Sequence, residues 1–334
     1  MSQLMYCLHH LMEVKLMRSS RTKKICIDSL CFTIILFLWL LIKCLCQPYR
    51  RGYWCDDHTI RYPHKELVIT TSATGAGGSS GGGGFAAIFL LIWSFVLPAV
   101  AIIVFESIRV RKMYVFIDKT SHQFDWRYLS WKLYKKLSVF YLGALVLVLI
   151  TTVIKYTTGR LRPDFIDLCR PDYDCRGSNG SGKEDSRTAI YVDNYTCANS
   201  YRLYDQIQEA RMSFLSGHSA YSAYCAVYFC IYLHQKMRSQ LLVALKAVLQ
   251  LMSVLASLYI GLNRIVVNRH HPSDVWSGLL LGTGMACLVN RYYLNSRRMG
   301  YTTDTDTDTD DTRGSVDLIQ ASNSYYDSNL SDKT

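Results

Sequence analysis

The hydrophobic residues of this chain come in long blocks separated by polar stretches, and not in the alternating stripes of a soluble protein. A helix that crosses a membrane needs roughly 20 mostly apolar residues. Three of the blocks are shorter than that and must recruit neighbouring residues to cross. The pattern predicts an all-α integral membrane protein with six transmembrane helices in one domain. The blocks are 25–42, 85–105, 139–154, 220–233, 241–262 and 275–289.

Basic residues beside these blocks indicate which end of each helix faces the cytosol. The 334 residues carry a formal net charge of +11, with a mean hydropathy of +0.07. Such a charge could suggest nucleic-acid binding, but it clusters where the positive-inside rule places it, so no nucleic acid is expected. The basic flanks place both termini in the cytosol.

Segments outside the apolar blocks have their own character. Segment 1–24 is basic and lacks a cleavage pattern, so the first helix is predicted to be a retained signal anchor. The six-helix domain is expected to cover 25–298, followed by a disordered cytosolic tail, 299–334, rich in threonine and aspartate. The glycine-rich run 75–84 predicts a flexible linker, and 106–138 a basic cytosolic loop with an amphipathic part on the membrane.

The first of three polar clusters follows the third predicted helix. Lys155, Arg160 and Arg162 lie at its outer end, against the positive-inside bias. Three cations in this place need a negative charge to offset them. A bound anion is the simplest source of that charge.

The second polar cluster is Ser216-Gly217-His218, which opens the fourth predicted helix. The first N–H groups of a helix carry partial positive charge and bind anions. Gly217 allows a phosphate to approach the backbone closely, and His218 would stand beside it. Taken alone, the same residues could be a serine cap with an incidental histidine.

The third polar cluster, 263–274, predicts a short loop between the fifth and sixth helices. It contains Arg264, Arg269, His270, His271 and Asp274. An arginine can hold phosphate oxygens in a bidentate fork, and a histidine can attack phosphorus. A carboxylate four residues after that histidine can fix its tautomer and stabilise its charged form. A polar loop that caps two helices is the alternative for this stretch alone.

The predicted topology brings all three clusters to the outer or lumenal ends of helices 3 to 6. Their convergence on one side is what a phosphate site requires. Lys155, Arg162 and Arg264 are expected to neutralise phosphate oxygens, while Ser216 and Gly217 supply further donors.

Two histidines suit a two-step phosphoryl transfer that uses no metal and no cofactor. One histidine attacks phosphorus, and the other protonates the leaving oxygen and then activates water. His270 is assigned as the nucleophile because Asp274 can orient it, and His218 is assigned as the general acid and base.

The spacing of these residues resembles that of the lipid phosphate phosphatases, in the type 2 phosphatidic acid phosphatase superfamily. The resemblance rests on Lys155 with six residues before Arg162-Pro163, on Ser216-Gly217-His218, and on Arg264 with five residues before His270 and three more before Asp274. The stretch 52–57, the segment 165–172 and the six-helix layout resemble the animal branch, and the chain is similar to the insect Wunen-like proteins.

The resemblance implies a metal-independent phosphatase of phospholipid metabolism and lipid signalling, acting from the outer or lumenal face. It implies phosphatidate, lysophosphatidate, sphingosine 1-phosphate and ceramide 1-phosphate as substrates, and homo-oligomers in many relatives. The plasma membrane is the expected location, with internal membranes as the alternative. Asn263 stands where the family usually has serine, so an altered phosphate affinity is expected.

The long outer loop 164–211 carries signals of an oxidising compartment. Asn179-Gly-Ser and Asn194-Tyr-Thr are acceptor sites for N-glycosylation on this side of the membrane. Cys169, Cys175 and Cys197 share this side with Cys55 of the first outer loop, and the four allow three full disulfide pairings.

Four other functions are alternatives to a lipid phosphate phosphatase. A catalytically inactive scaffold that binds lipid phosphates would share the fold, and a lipid head-group transferase would share the chemistry. A metal hydrolase could use His218, His270, His271 and Asp274, but three nearby cations would repel the ion. A transporter would show a chain of charges inside the membrane, which the sequence lacks.

Overall fold

Helices make up most of this protein, as seen in a computed structural model. The structure describes residues 2–64, 96–117, 126–173, 190–198, 204–237 and 243–303. The glycine-rich run, Asn179, Cys175 and tail residues 304–334 lie outside the described residues. Within these ranges the helices are α1 (Ser2–Leu45), α2 (Leu97–Ile117), α3 (Trp126–Thr158), α4 (Phe165–Cys169), α5 (Tyr204–Ala210), α6 (Gly217–Lys236), α7 (Val243–Val266) and α8 (Pro272–Thr303).

Three helices in the described part of the chain are long and apolar enough to cross a membrane. They are Arg21–Leu45 within α1, Trp126–Thr158, which is α3, and Val243–Val266, which is α7. The predicted all-helical membrane class is therefore confirmed, while six as the number of spans stays a prediction.

Most helices extend beyond the apolar blocks that predicted them. α2 continues to Ile117 and α3 begins at Trp126, so the predicted cytosolic loop 106–138 is helical in its described parts. α7 continues to Val266, which places Arg264 in the helix and shortens the predicted loop to 267–271. Hydropathy marks the part of a helix inside hydrocarbon, whereas backbone hydrogen bonds carry the helix on through polar residues.

The packing of α6, α7 and α8 holds two of the polar clusters together. A side-chain carbon at Gly282 would lie 2.0 Å from the carbonyl oxygen of Ala220, and one at Gly278 would lie 2.6 Å from that of Ser216. Small residues four apart thus allow α8 to approach α6 closely. Between α6 and α7, the Ser257 hydroxyl donates to Ser222 Oγ at 3.1 Å.

A small cap adjoins the ends of these helices. The sequence predicts that this side faces outward, so we call it the outer cap. The strand β1 (Tyr53–Trp54) pairs antiparallel with β2 (Tyr191–Val192). Tyr53 and Val192 are buried with Phe165 of α4 and with Tyr195. Because strands of two residues cannot be stable alone, this shared core must hold the cap together.

Disulfides reinforce the outer cap. Cys169 is bonded to Cys197, which selects among the pairings that the sequence left open. Cys55 is disulfide-bonded as well. Asn194 is exposed and lies two residues after the end of β2, so the side chain of this predicted glycosylation site is accessible.

The chain divides into two compact units, and the whole candidate site belongs to one of them. The first unit contains Met1–Pro98 and Phe140–Ala286. The second contains Ala99–Val139 and Cys287–Thr334, and within it Lys136 pairs with the buried carboxylate of Glu106.

Candidate active site

The outer end of α3 and the first turn of α6 meet directly. A side-chain carbon at Gly217 would lie 3.9 Å from Lys155 Nζ, so the ammonium group stands beside the glycine backbone. Ser216 is the N-cap residue of α6, but its side chain accepts no capping hydrogen bond from the helix. The first N–H groups of α6 therefore remain available to an anion close to a lysine.

His270 is held in a defined tautomer on the short segment between α7 and α8. It is buried, and its Nδ1 lies 2.7 Å from the carbonyl oxygen of Ser213. Because a carbonyl oxygen only accepts, Nδ1 carries the proton and Nε2 bears the lone pair. Burial, together with the nearby charges of Arg162 and Lys155, lowers the pKa of His270 well below its ordinary value. The ring is therefore a neutral imidazole with a nucleophilic Nε2.

Asp274 lies beside His270 without being its closest partner. The distance from Asp274 Oδ2 to His270 Nδ1 is 3.9 Å, longer than the bond to the Ser213 carbonyl. Oδ2 accepts from the Ser213 hydroxyl at 2.5 Å and from the His271 backbone N–H at 3.0 Å. Asp274 is the third residue of α8, and His271 is the residue just before the helix. The bond from the His271 N–H to the Asp274 carboxylate is therefore half of a capping box.

Arg160 completes the surroundings of Asp274. Its Nη1 donates to Asp274 Oδ1 at 2.6 Å and to Ser273 Oγ at 2.8 Å. The expectation that a bound anion offsets all three cations of this segment was therefore wrong for Arg160, whose partner is a buried carboxylate. We call Arg160, Ser213, His271 and Asp274 the support network.

Arg162 and Arg264 both have an unsatisfied buried donor. Arg162 Nη1 lies 3.4 Å from Glu209 Oε2, and Arg264 Nη2 donates to Asn263 Oδ1 at 3.3 Å. The Nε atoms of both arginines are buried and have no hydrogen-bond partner. Because an unpaired buried donor is costly, these groups are suited to an anionic ligand. We call Lys155, Arg162, Arg264, Ser216 and Gly217 the phosphate cage.

His218, the second residue of α6, is half-buried and lies among the cations. Burial, together with the charges of Arg264 and Lys155, lowers the pKa of His218 to about 3, so the ring is neutral while no anion is bound. When His218 is protonated, its charge acts in turn on His270. The structure thus brings the two predicted histidines and all three predicted cations into one electrostatic neighbourhood.

Sequence reasoning did not assign Ser213 or His271, and it gave Arg160 a different partner. Ser213 uses its carbonyl for His270 and its hydroxyl for Asp274. His271 Nε2 lies 3.0 Å from the Leu161 carbonyl oxygen, and that bond ties the α7–α8 segment to the chain after α3. The role of a backbone carbonyl cannot be read from a sequence. The signal for this network in the sequence was Arg160, a cation placed against the positive-inside bias.

Within the described residues, no group of three or more histidine, cysteine, aspartate or glutamate side chains is arranged to hold a metal ion.

Comparison with known proteins places the chain in a family. The family model described as PAP2 superfamily matches residues 137–298. Phospholipid phosphatase 2 of Rattus norvegicus is 29% identical over 266 residues, which cover 80% of this chain and 84% of that protein. Phospholipid phosphatase 1 of Rattus norvegicus is 29% identical over 273 residues, covering 81% and 85%.

A bovine relative and the solved structures complete the comparison. Phospholipid phosphatase 2 of Bos taurus is 30% identical over 268 residues, which cover 80% of this chain and 81% of that protein. No solved structure matches the chain. The relatives named above are mammalian, so the resemblance to insect proteins stays a prediction. The chain belongs to the PAP2 superfamily, and the mammalian phospholipid phosphatases are among its relatives.

Proposed function

We propose that this protein is a lipid phosphate phosphatase that works through a phosphohistidine on His270, without a metal ion. Its substrates are phosphatidate, lysophosphatidate, sphingosine 1-phosphate and ceramide 1-phosphate. Membership of the superfamily and the names of the relatives support phosphatase activity on phospholipids. The observation that carries the mechanism is the neutral His270, held by the Ser213 carbonyl among cations with unpaired donors.

The first step transfers the phosphoryl group to the enzyme. The phosphate binds in the cage formed by Lys155, Arg162, Arg264, Ser216 and Gly217. The lone pair of His270 Nε2 attacks phosphorus, and the bond from phosphorus to the lipid oxygen breaks. The bound phosphate offsets the surrounding cations, so His218 takes up a proton when the substrate binds. His218 then gives this proton to the lipid oxygen, and the lipid leaves as an alcohol.

The second step regenerates the enzyme. His218, now neutral, takes a proton from a water molecule, whose oxygen attacks the phosphorus as the bond to His270 breaks. Orthophosphate leaves, His218 is protonated again, and His270 returns to its neutral tautomer. In both steps the Ser213 carbonyl stabilises the proton on Nδ1, and Asp274 adds negative charge 3.9 Å away.

The site is proposed to face the outside of the plasma membrane, with both termini in the cytosol. The disulfide between Cys169 and Cys197 supports this, because such bonds persist in oxidising compartments. Glycosidase treatment should therefore shift the gel band, and the shift should vanish when Asn179 and Asn194 are both replaced by Gln. A band that glycosidase does not move would leave the outer face without support.

The direct test of function is phosphate release from lysophosphatidate and phosphatidate in detergent micelles containing EDTA. The intact protein should release phosphate, and His270→Ala should lower the rate by about 1000-fold or more. His58→Ala, at an exposed histidine of the outer cap, is the matched control and should retain the wild-type rate. No release from the intact protein would favour a scaffold that binds lipid phosphates, and activity that EDTA abolishes would favour a metal hydrolase.

A further inference from the structure

A second cluster of charged and titratable side chains adjoins the phosphate cage and has no part in the mechanism above. His64 Nδ1 lies 2.7 Å from Asp164 Oδ2, and His64 Nε2 lies 3.5 Å from Arg269 Nη2. Arg269 Nε lies 4.0 Å from the same carboxylate oxygen. His64 thus bridges an acidic residue after α3 and a basic residue between α7 and α8.

Backbone contacts fix His64 in this position. The His64 N–H donates to Asp167 Oδ2 at 2.8 Å, and the Tyr62 N–H donates to the Pro163 carbonyl at 2.9 Å. Asn268 Nδ2 donates to the Pro63 carbonyl at 3.0 Å. The last described residues of the first outer loop are therefore anchored to both segments that carry the site.

The placement of the proton on His64 follows from its neighbours. Asp164 is completely buried, and its ionised carboxylate needs a donor. His64 Nδ1–H supplies that donor, which leaves the Nε2 lone pair to accept from Arg269. His64 therefore links the carboxylate of Asp164 to the guanidinium of Arg269 through its two ring nitrogens.

Arg269, which immediately precedes His270, lies close enough to the phosphate cage for its charge to act on the cage residues. Burial lowers the pKa of Arg162, and the charge of Arg269 lowers it further. The charge also acts on His218 and Arg264. A cation in this position can reach a phosphate oxygen or an adjacent head-group oxygen of a bound lipid.

We propose that Arg269 is a fourth cation that binds the substrate phosphate, and that His64, together with Asp164, is a positioning residue for its guanidinium. This inference rests on the proposed function and adds to it a specificity element from the first outer loop. Because Arg269 binds phosphate in the ground state and in the transition state alike, it acts on KM more than on kcat.

Steady-state kinetics with lysophosphatidate in micelles separate this role from a structural one. His64→Ala should raise KM about 10-fold and change kcat less than about 2-fold. Arg269→Ala should raise KM by at least as much, and the double variant should add little, because both changes remove one interaction. His58→Ala, at an exposed histidine of the same loop, should leave both constants unchanged.

Rescue by a conservative variant supplies a readout that a structural role would not move. The charged groups facing His64 are Asp164, Asp167 and Arg269. Gln at this position can both donate and accept a hydrogen bond, so His64→Gln should keep KM within about 2-fold of the wild-type value, unlike His64→Ala.

The outcomes distinguish this inference from the proposed function. A wild-type protein that releases no phosphate would refute the proposed function. An active wild type with an unchanged KM in Arg269→Ala would overturn the inference alone, even if His64→Ala failed to fold. A His64→Gln variant whose KM rose as far as that of His64→Ala would overturn the role of His64.

Discussion

The phosphate cage and the support network both surround His270, yet they differ in how well their polar groups are satisfied. In the support network, Asp274 accepts from Arg160, Ser213 and the His271 backbone, so both carboxylate oxygens have partners. In the phosphate cage, the buried Nε atoms of Arg162 and Arg264 have none. A network whose polar groups are all hydrogen-bonded fixes the positions of its side chains. Buried donors without partners lower the folding stability, but they are available to bind a ligand.

The difference teaches that the same residue type serves opposite purposes only two positions apart. Arg160 and Arg162 flank Leu161 in one short segment. Arg160 forms an ion pair with the buried carboxylate of Asp274. Arg162 is buried near His270, and its charge adds to the effect of burial in lowering the pKa of that ring. Substitutions in the two groups should therefore have separable effects on activity and on stability.

The largest effect is expected in the phosphate cage. Arg264→Ala should lower kcat/KM by about 100- to 1000-fold, because it removes a charge that stabilises the transferring phosphoryl group. The melting temperature in detergent should not fall, since the lost Nε had no partner. Arg51→Ala, at an exposed arginine of the outer cap, is the control. A large loss of stability with little loss of activity would reverse the distinction between the two groups.

A smaller effect on rate, but a larger one on stability, is expected in the support network. Asp274→Asn should lower kcat by about 10- to 100-fold, because the α7–α8 segment loses an anchor beside His270. It should also cost about 1–3 kcal/mol, because buried donors lose a charged acceptor. Kinetics and thermal unfolding of the same preparation check both effects. If Asp274→Asn unfolds at the same temperature as the wild type, Asp274 does not stabilise the folded structure of this segment.

Ser213→Ala sharpens this comparison. It removes the hydroxyl bonded to Asp274 but keeps the backbone carbonyl bonded to His270. Stability should fall by about 1 kcal/mol while kcat changes only a few-fold. Loss of activity equal to that of Asp274→Asn would show that the carboxylate, and not the Ser213 carbonyl, sets the His270 ring.

The depressed pKa of His270 predicts how stability depends on pH. The folded protein keeps this ring neutral, whereas the unfolded chain takes up a proton near pH 6.5. Stability should therefore fall as pH drops below about 6.5, by up to about 1.4 kcal/mol per pH unit from this group. Thermal unfolding from pH 8 to pH 5 should show a steeper loss in the wild type than in His270→Gln. Parallel curves would mean that the buried ring charges freely.

The smallest effect is expected at Asn263, whose Oδ1 accepts a hydrogen bond from Arg264 Nη2 at 3.3 Å. Asn263→Ser would shorten the side chain and leave Arg264 Nη2 freer to bind phosphate. KM for lysophosphatidate should fall a few-fold with kcat nearly unchanged, as measured by phosphate release. A drop in kcat would assign Asn263 a role in the transition state.

The sequence was sufficient for the parts of this account that follow from composition and from motif spacing. Long apolar blocks predicted the helical membrane class, and short segments at helix ends predicted that Lys155, Gly217 and His270 converge. Helix bounds were less accurate, because polar residues such as those before Val139 continue a helix that hydropathy no longer marks.

Contacts between distant segments could not be predicted from the sequence. Arg160 and Asp274 are 114 residues apart, and His64 and Arg269 are 205 residues apart. Their pairing depends on how α3, α7 and the first outer loop pack. The proton on His270 is likewise set by a backbone carbonyl, a group that every residue possesses.

The central claim is that His270 is the residue that becomes phosphorylated. Lysophosphatidate with a radiolabelled phosphate, mixed with His218→Ala and quenched in denaturant, tests it directly. Without His218 to protonate the lipid oxygen, the label should enter the protein slowly. Without His218 to activate water, the label should then remain on the protein as a linkage stable to base and labile to acid. It should disappear when His270→Ala is added and persist when His271→Gln is added instead. Label that survives the loss of His270 would contradict the account.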